Sequence, residues 1–279
     1  MTATIQPALP MPADMERRLA GDPLLLLLDV DGTLAPIAPR PEYAAMPPET
    51  RQVLEDFVKA SGAFVSILSG RAAGDAFRLV GVDGVWTIGN HGFEVRDPAG
   101  DVQVQSDLLA YEAPIAEAVV RAHTVAADIP GVVVEDKRWT ASVHYRLAHP
   151  SSVPALNASV EEIARSLGLR LTHGKEVLEL RPPVDVDKGT AALALAERVG
   201  AMTQRGSVFC AGDDRTDEDA FRVLRGAHPG AVTVRVGREA GRPVEDSVAE
   251  FFVDDTRAML TLLQRMLEQR TSAERRQGR

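Results

Sequence analysis

The chain has 279 residues, enough for two modest domains. Its 40 acidic against 31 basic residues leave a net charge of -9, which argues against nucleic acid or an anionic membrane surface as a partner. The single cysteine, Cys210, excludes an internal disulfide, no basic-then-apolar leader opens the chain, and the most apolar run, Leu24–Leu28, is far too short to cross a bilayer. The expectation is therefore a soluble, cytoplasmic protein.

Residues 1–20, rich in Pro and Ala, read as a flexible lead-in. Leu24–Leu28 is then an all-apolar run that stops at acids and glycine, as a strand buried on both faces does. Residues 48–61 carry helical apolar spacing (Val53, Leu54, Phe57, Val58) and precede a second apolar run, Ala63–Leu68, which ends in Ser69-Gly70-Arg71. A third run, 85–88, ends in Gly89-Asn90-His91-Gly92. After residue 183 the alternation resumes: a helix over 190–199, a strand over 208–211 ending in Gly212-Asp213-Asp214, and short strands at 231–236 and 251–253. Strands alternating with helices predict an open α/β sheet, whose ligands bind beyond the carboxyl ends of its strands.

The middle of the chain has another pattern. It reads as helix 108–127, strands 132–135 and 141–145, helix 153–167, and strands 170–172 and 177–180. Paired strands on short turns predict an antiparallel sheet with helices on one face. The expected organisation is a core of residues 21–106 and 183–268, an inserted α+β domain over 107–182, and a polar, frayed tail over 269–279.

Four segments carry chemistry. In Asp29-Val30-Asp31-Gly32, a carboxylate at a strand end can attack phosphorus, and a second one two residues on points to the same side, placed for proton transfer. A calcium loop is excluded, because the glycine falls at the fourth position and Arg40 stands at the twelfth. Asp213, Asp214 and Asp217 end another strand; carboxylates gathered there repel one another and call for a hard cation, of which magnesium is the usual companion of phosphate. The Ser69 hydroxyl and the Gly70 amide can hold a phosphoryl oxygen. Lys188, beside a helix start, can bind phosphate and offset the nucleophile's charge.

In this order, the segments at 29–34, 69–71, 188 and 212–219 resemble the four motifs of the haloacid dehalogenase-type phosphatases. That resemblance implies a Rossmann-like parallel-sheet core with an inserted cap, Asp29 as nucleophile, Asp31 as acid and base, and Ser69 and Lys188 on the phosphoryl group. It also implies Mg2+ held by Asp29, Asp31 through its carbonyl, Asp213 and Asp214, with Asp217 in support. Glu135-Asp136-Lys137, His144-Tyr145-Arg146 and the run from Gly174 to Pro182, together with Ser69-Gly70-Arg71 and Asn90-His91, resemble the trehalose-6-phosphate phosphatases more narrowly. In that family the insert is a lid over the sugar. The resemblance thus implies trehalose 6-phosphate as substrate for a monomer, with Lys137, Lys175 and Glu179 on the distal glucose and Arg71, Asn90, His91 and His144 nearby. The bare residues leave other readings open: His144 as a packed lid residue, Glu179 in a cross-strand ion pair with Lys175 or Arg181, Trp139 stacking on a sugar or packing the lid.

Overall fold

Five consecutive leucines lie in one strand and divide between two cores: Leu24, Leu26 and Leu28 enter one, Leu25 and Leu27 the other. A strand points successive side chains to opposite faces, so this run is stable only in a sheet covered on both sides. The computed structural model describes residues 5–237 and 246–277, with side chains to 272. Residues 1–4 of the expected lead-in and 278–279 of the expected tail lie outside the described residues.

The chain runs β1 (Gln6–Pro7), α1 (Ala13–Arg18), β2 (Leu24–Leu28), α2 (Pro48–Lys59), β3 (Ala63–Leu68), α3 (Ala73–Val80), β4 (Trp86–Gly89), β5 (Glu94–Arg96) and β6 (Val102–Val104). It continues through α4 (Glu112–Ala126), β7 (Val133–Asp136), β8 (Ala141–His144), α5 (Val153–Ser166), β9 (Arg170–Gly174) and β10 (Val177–Arg181). It closes with α6 (Lys188–Arg198), β11 (Ser207–Gly212), α7 (Arg215–Ala227), β12 (Val232–Val236), β13 (Phe251–Val253) and α8 (Thr256–Gln277). Two compact units result, one of residues up to Gln103 and from Val186 onward, the other of Val104–Asp185.

In the larger unit nine strands take the order β1-β13-β12-β11-β2-β3-β4-β5-β6. Pairing is parallel from β1 to β4 and turns antiparallel at β4–β5. Residues of α1, α2, α3 and α8 fill the core on one face (Met15, Phe57, Val80, Leu262), and residues of α6 and α7 fill the other (Leu195, Phe221). Register sets the working edge: Leu28 pairs with Ala211 on one side and with Ile67 on the other, so β2, β3 and β11 end within one residue of one another. The next residues on those strands are the sequence-marked Asp29, Ser69 and Asp213.

Two expectations need correction. The described part of the lead-in is built into the fold: β1 adds a strand beside β13, and Ala8, Met15 and Leu19 are buried. Met15 and Leu19 stand one helical turn apart, but a six-residue helix set among prolines holds too few apolar positions to establish a period, which is why the sequence reads as loose. The expected frayed tail from 269 is instead the end of α8, where the Arg270 guanidinium donates to the Ser61 and Gly21 carbonyls and to Asp22. Strands β5 and β6, three residues each, also escape the sequence pattern.

The smaller unit is a four-stranded antiparallel sheet, β7-β8-β10-β9. One face carries Ala141, Val143, Leu178 and Leu180 into a core with Ile115 and Val119 of α4 and Leu156, Val160 and Ile163 of α5. The other face carries the alternate residues, among them Ser142, His144 and Glu179.

Candidate active site

In the larger unit the site begins at Asp29, 5% exposed, whose amide donates to the Ala211 carbonyl at 3.0 Å and so continues the sheet one step beyond β2. Lys188, 1% exposed, is the first residue of α6, a helix started by the reciprocal capping of Asp187 and Thr190. Its ammonium donates to Asp29 Oδ1 at 2.9 Å and to Asp217 Oδ1 at 2.8 Å. Burial disfavours that ammonium, but Asp217 and Asp29 outweigh it and hold Lys188 charged, well above its ordinary range.

Acid exceeds base here. Asp29, Asp213 and Asp217 each bring an oxygen to within 4.8 Å of the others. Burial pushes the Asp29 carboxyl up to about 7, with Lys188 opposing and Asp213 and Asp214 adding repulsion. Burial likewise pushes Asp213 up to about 7, reinforced by Asp214 and Asp217. Asp29 Oδ2 is buried without a hydrogen-bond partner. An orphaned carboxylate oxygen, two further acids and a set of oxygen-only donors fit a hard divalent cation. Gly32 keeps the space clear: its φ is +95°, and a Cβ there would collide with the Asp213 carboxylate.

The structure separates the roles of Asp214 and Asp217. Asp214 caps α7, its Oδ1 accepting from the Thr216 and Asp217 amides and the Thr216 hydroxyl. Against the opposing effect of burial, Lys188 and these hydrogen bonds hold it well below the usual carboxylate range. Asp217 completes the capping box by accepting from the Asp214 amide at 3.1 Å, and this turns its other oxygen back to Lys188. Asp217 thus joins Asp29 and Asp213, while Asp214, expected as a ligand, does not belong to that cluster. The signal was present in the sequence: an N3 acid in a capping box points toward the helix start.

The Ser69–Arg71 turn is strapped to the neighbouring strand end. The Ser69 amide donates to Ile88 O, the Asn90 amide to Arg71 O at 2.7 Å and the His91 amide to Ser69 O at 3.1 Å. Asn90 and His91 have φ of 48° and 55°, left-handed values that cost a non-glycine residue about 1–3 kcal/mol. Asn90 has no exposed surface. The His91 ring lies against Gly70, leaving no room for a Cβ there. Arg71, expected near the sugar, places its guanidinium on both oxygens of Asp31, at 2.7 and 2.8 Å, and on the Pro41 carbonyl.

In the smaller unit, Lys137 and Glu179 are both more than nine-tenths buried and meet at 3.2 Å. Glu179 Oε1 also accepts from the Ser142 hydroxyl at 3.4 Å, and Arg181 lies 4.0 Å from Oε2. His144 Nε2 meets Glu135 Oε2 at 2.9 Å. The register puts Glu135, Ser142, Glu179 and Thr172 in one row across the sheet. Of the two partners that the ion-pair reading names, Arg181 lies at 4.0 Å from Glu179, and the nearer partner, Lys137, is not among them. Lys175 is exposed at the hairpin tip, apart from this row, and Trp139 is 1% exposed, so it packs the unit. The sequence alone does not mark Glu135 and Ser142 as site residues, because strand alternation marks a face but not which residues share a row.

A family model described as trehalose-phosphatase matches residues 27–257. A trehalose-phosphate phosphatase of Mycobacterium leprae is 35% identical over 260 residues, 90% of this chain and 59% of that protein. An uncharacterized glycosyl hydrolase of Mycobacterium tuberculosis is 37% identical over 226 residues, 80% of this chain. The chain spans only 17% of that protein's length. A crystal structure of a trehalose-6-phosphate phosphatase related protein superposes with a TM-score of 0.75 at 28% identity, covering 88% of this chain and 97% of that one. Among the described residues no helix is long and apolar enough to cross a membrane.

Proposed function

The chain belongs to the trehalose-phosphatase family, of haloacid dehalogenase fold, and from that membership we propose that it hydrolyses trehalose 6-phosphate through an aspartyl-phosphate on Asp29. The observation that carries the reading is the buried Asp29 carboxylate, with one oxygen on Lys188 and the other unpartnered among acids.

In the first step a carboxylate oxygen of Asp29 attacks phosphorus, the bond from phosphorus to the sugar oxygen breaks, and Asp31 gives that oxygen its proton. In the second, Asp31 takes a proton from water, the hydroxide oxygen attacks phosphorus, and the bond to Asp29 breaks to release inorganic phosphate. Ser69 and the Gly70 amide hold phosphoryl oxygens, and the Lys188 ammonium offsets their charge. Asp29, Asp213, Asp217 and the Asp31 carbonyl would hold Mg2+, which when bound would neutralise charge on the transferring group. Lys137, Glu179, Ser142 and His144 offer charged and hydroxyl partners for sugar hydroxyls, with Lys175 contributing from its exposed tip. A cytoplasmic monomer belongs to the same proposal.

Phosphate release from a panel of sugar phosphates, with and without Mg2+, tests it. Metal-dependent release from trehalose 6-phosphate above all others is the expected result. Release from other sugar phosphates alone retains the Asp29 chemistry and overturns the substrate. No release from any member of the panel overturns both.

A further inference from the structure

Asp31 is poorly placed for the work assigned to it. Its Oδ2 accepts from Arg71 Nε at 2.7 Å and its Oδ1 from Nη2 at 2.8 Å, a two-pronged ion pair. A carboxyl that protonates a leaving oxygen must bring one of its own oxygens onto that atom, and here both rest on the guanidinium. The Arg71 backbone is rooted in the proposed phosphoryl-binding turn, its amide donating to Ser69 Oγ at 3.2 Å. The side chains of Arg71 and Asp31 are 15% and 35% exposed, so the pair is open to a ligand at one side. A phosphate dianion presents a guanidinium with the same paired oxygens as a carboxylate, at greater charge.

We propose that Arg71 is a positioning residue that parks Asp31 in the free protein and releases it when the phosphoryl dianion takes the guanidinium. The inference rests on the assignment of Asp31 as acid and base. It gives the side chain a cycle. The phosphoryl group occupies Arg71 on binding and while it is joined to Asp29, so the released Asp31 carboxylate takes a proton from solvent, gives it to the leaving sugar oxygen, takes another from the attacking water, and returns that proton to solvent before it pairs with Arg71 again. Departure of phosphate returns Asp31 to the fork. Acid and base are thus engaged only when there is phosphorus to work on, and the Pro41 carbonyl keeps the guanidinium near both partners in the interval.

Competition for one guanidinium is a coupling between Asp31 and phosphate, and a double-mutant cycle measures it. Inorganic phosphate is titrated calorimetrically into the Mg2+-loaded protein in four forms: wild type, Asp31→Asn, Arg71→Met and the double variant. Asp31→Asn is expected to tighten phosphate binding about tenfold when Arg71 is present and by less than about threefold when it is Met. An equal gain in both backgrounds means plain charge repulsion and overturns the proposal, as does no gain. If Arg71→Met fails to fold, Arg71→Lys, which keeps the charge and loses the fork, closes the same cycle. Turnover of Asp31→Asn is measured alongside. Near-normal turnover overturns the acid and base assignment itself, whereas lost turnover with equal phosphate gains overturns only the role of Arg71.

Discussion

The two polar clusters of this molecule differ in their charge balance. In the larger unit, Asp29, Asp213 and Asp217 face a single buried ammonium, and two of the three carboxyls are pushed up to about 7 by burial and mutual repulsion. In the smaller unit every acid of the row has a partner of its own, Glu179 with Lys137 and Arg181, and Glu135 with His144. An unbalanced buried cluster stores a demand for a cation and for a charged substrate group. A balanced one can trade hydrogen bonds with neutral hydroxyls and leave its charges satisfied. The first arrangement suits chemistry and the second suits recognition.

The sharpest attempt to break that contrast is Asp29→Asn. Turnover is expected to fall by at least about four orders of magnitude, as when a nucleophile is removed, with the melting transition retained. Near-normal phosphate release from this variant refutes the mechanism. Lys188→Met comes next: it leaves Asp29 and Asp217 without their ammonium and is expected to cost about 3–5 kcal/mol in urea unfolding of the metal-free protein, besides abolishing turnover. An unchanged unfolding midpoint counts against the pairing.

Glu179→Gln should separate the clusters. Activity on trehalose 6-phosphate is expected to fall about 10–100-fold, the worth of a charged hydrogen bond, while hydrolysis of a small aryl phosphate stays within about twofold. Equal losses on both substrates place Glu179 in the scaffold.

The smallest effect is the pH dependence. The Asp29 and Asp213 carboxyls lie above their ordinary 3.8 in the fold, so the folded state holds those protons more tightly than the unfolded chain does. Their contribution is therefore present below about pH 4 and lost as pH rises through about 7. A cation that binds the carboxylates reverses the loss. The rise in melting temperature on adding Mg2+ should grow between about pH 5 and about pH 8, and a shift independent of pH contradicts the assignment.

Much of this was legible in the chain. The apolar runs ending in Asp29, Ser69 and Asp213 marked strand ends in an α/β sheet, since only a doubly covered strand tolerates five leucines followed by acids. The antiparallel middle was legible from its paired short strands. Less legible were the buried Met15 and Leu19 near the start and the continuation of α8 through residues read as a tail, because one apolar pair among prolines and a polar helix end give too few apolar positions to establish a period.

By itself, then, the sequence determined which residue types follow each strand, because a local pattern of burial and turn chemistry is written in consecutive positions. Tertiary structure alone decided who meets whom: that Lys188 spans Asp29 and Asp217, and that Arg71 grips Asp31. Those pairings join residues as far as 159 positions apart and depend on strand register and side-chain direction, which the whole packed sheet sets at once.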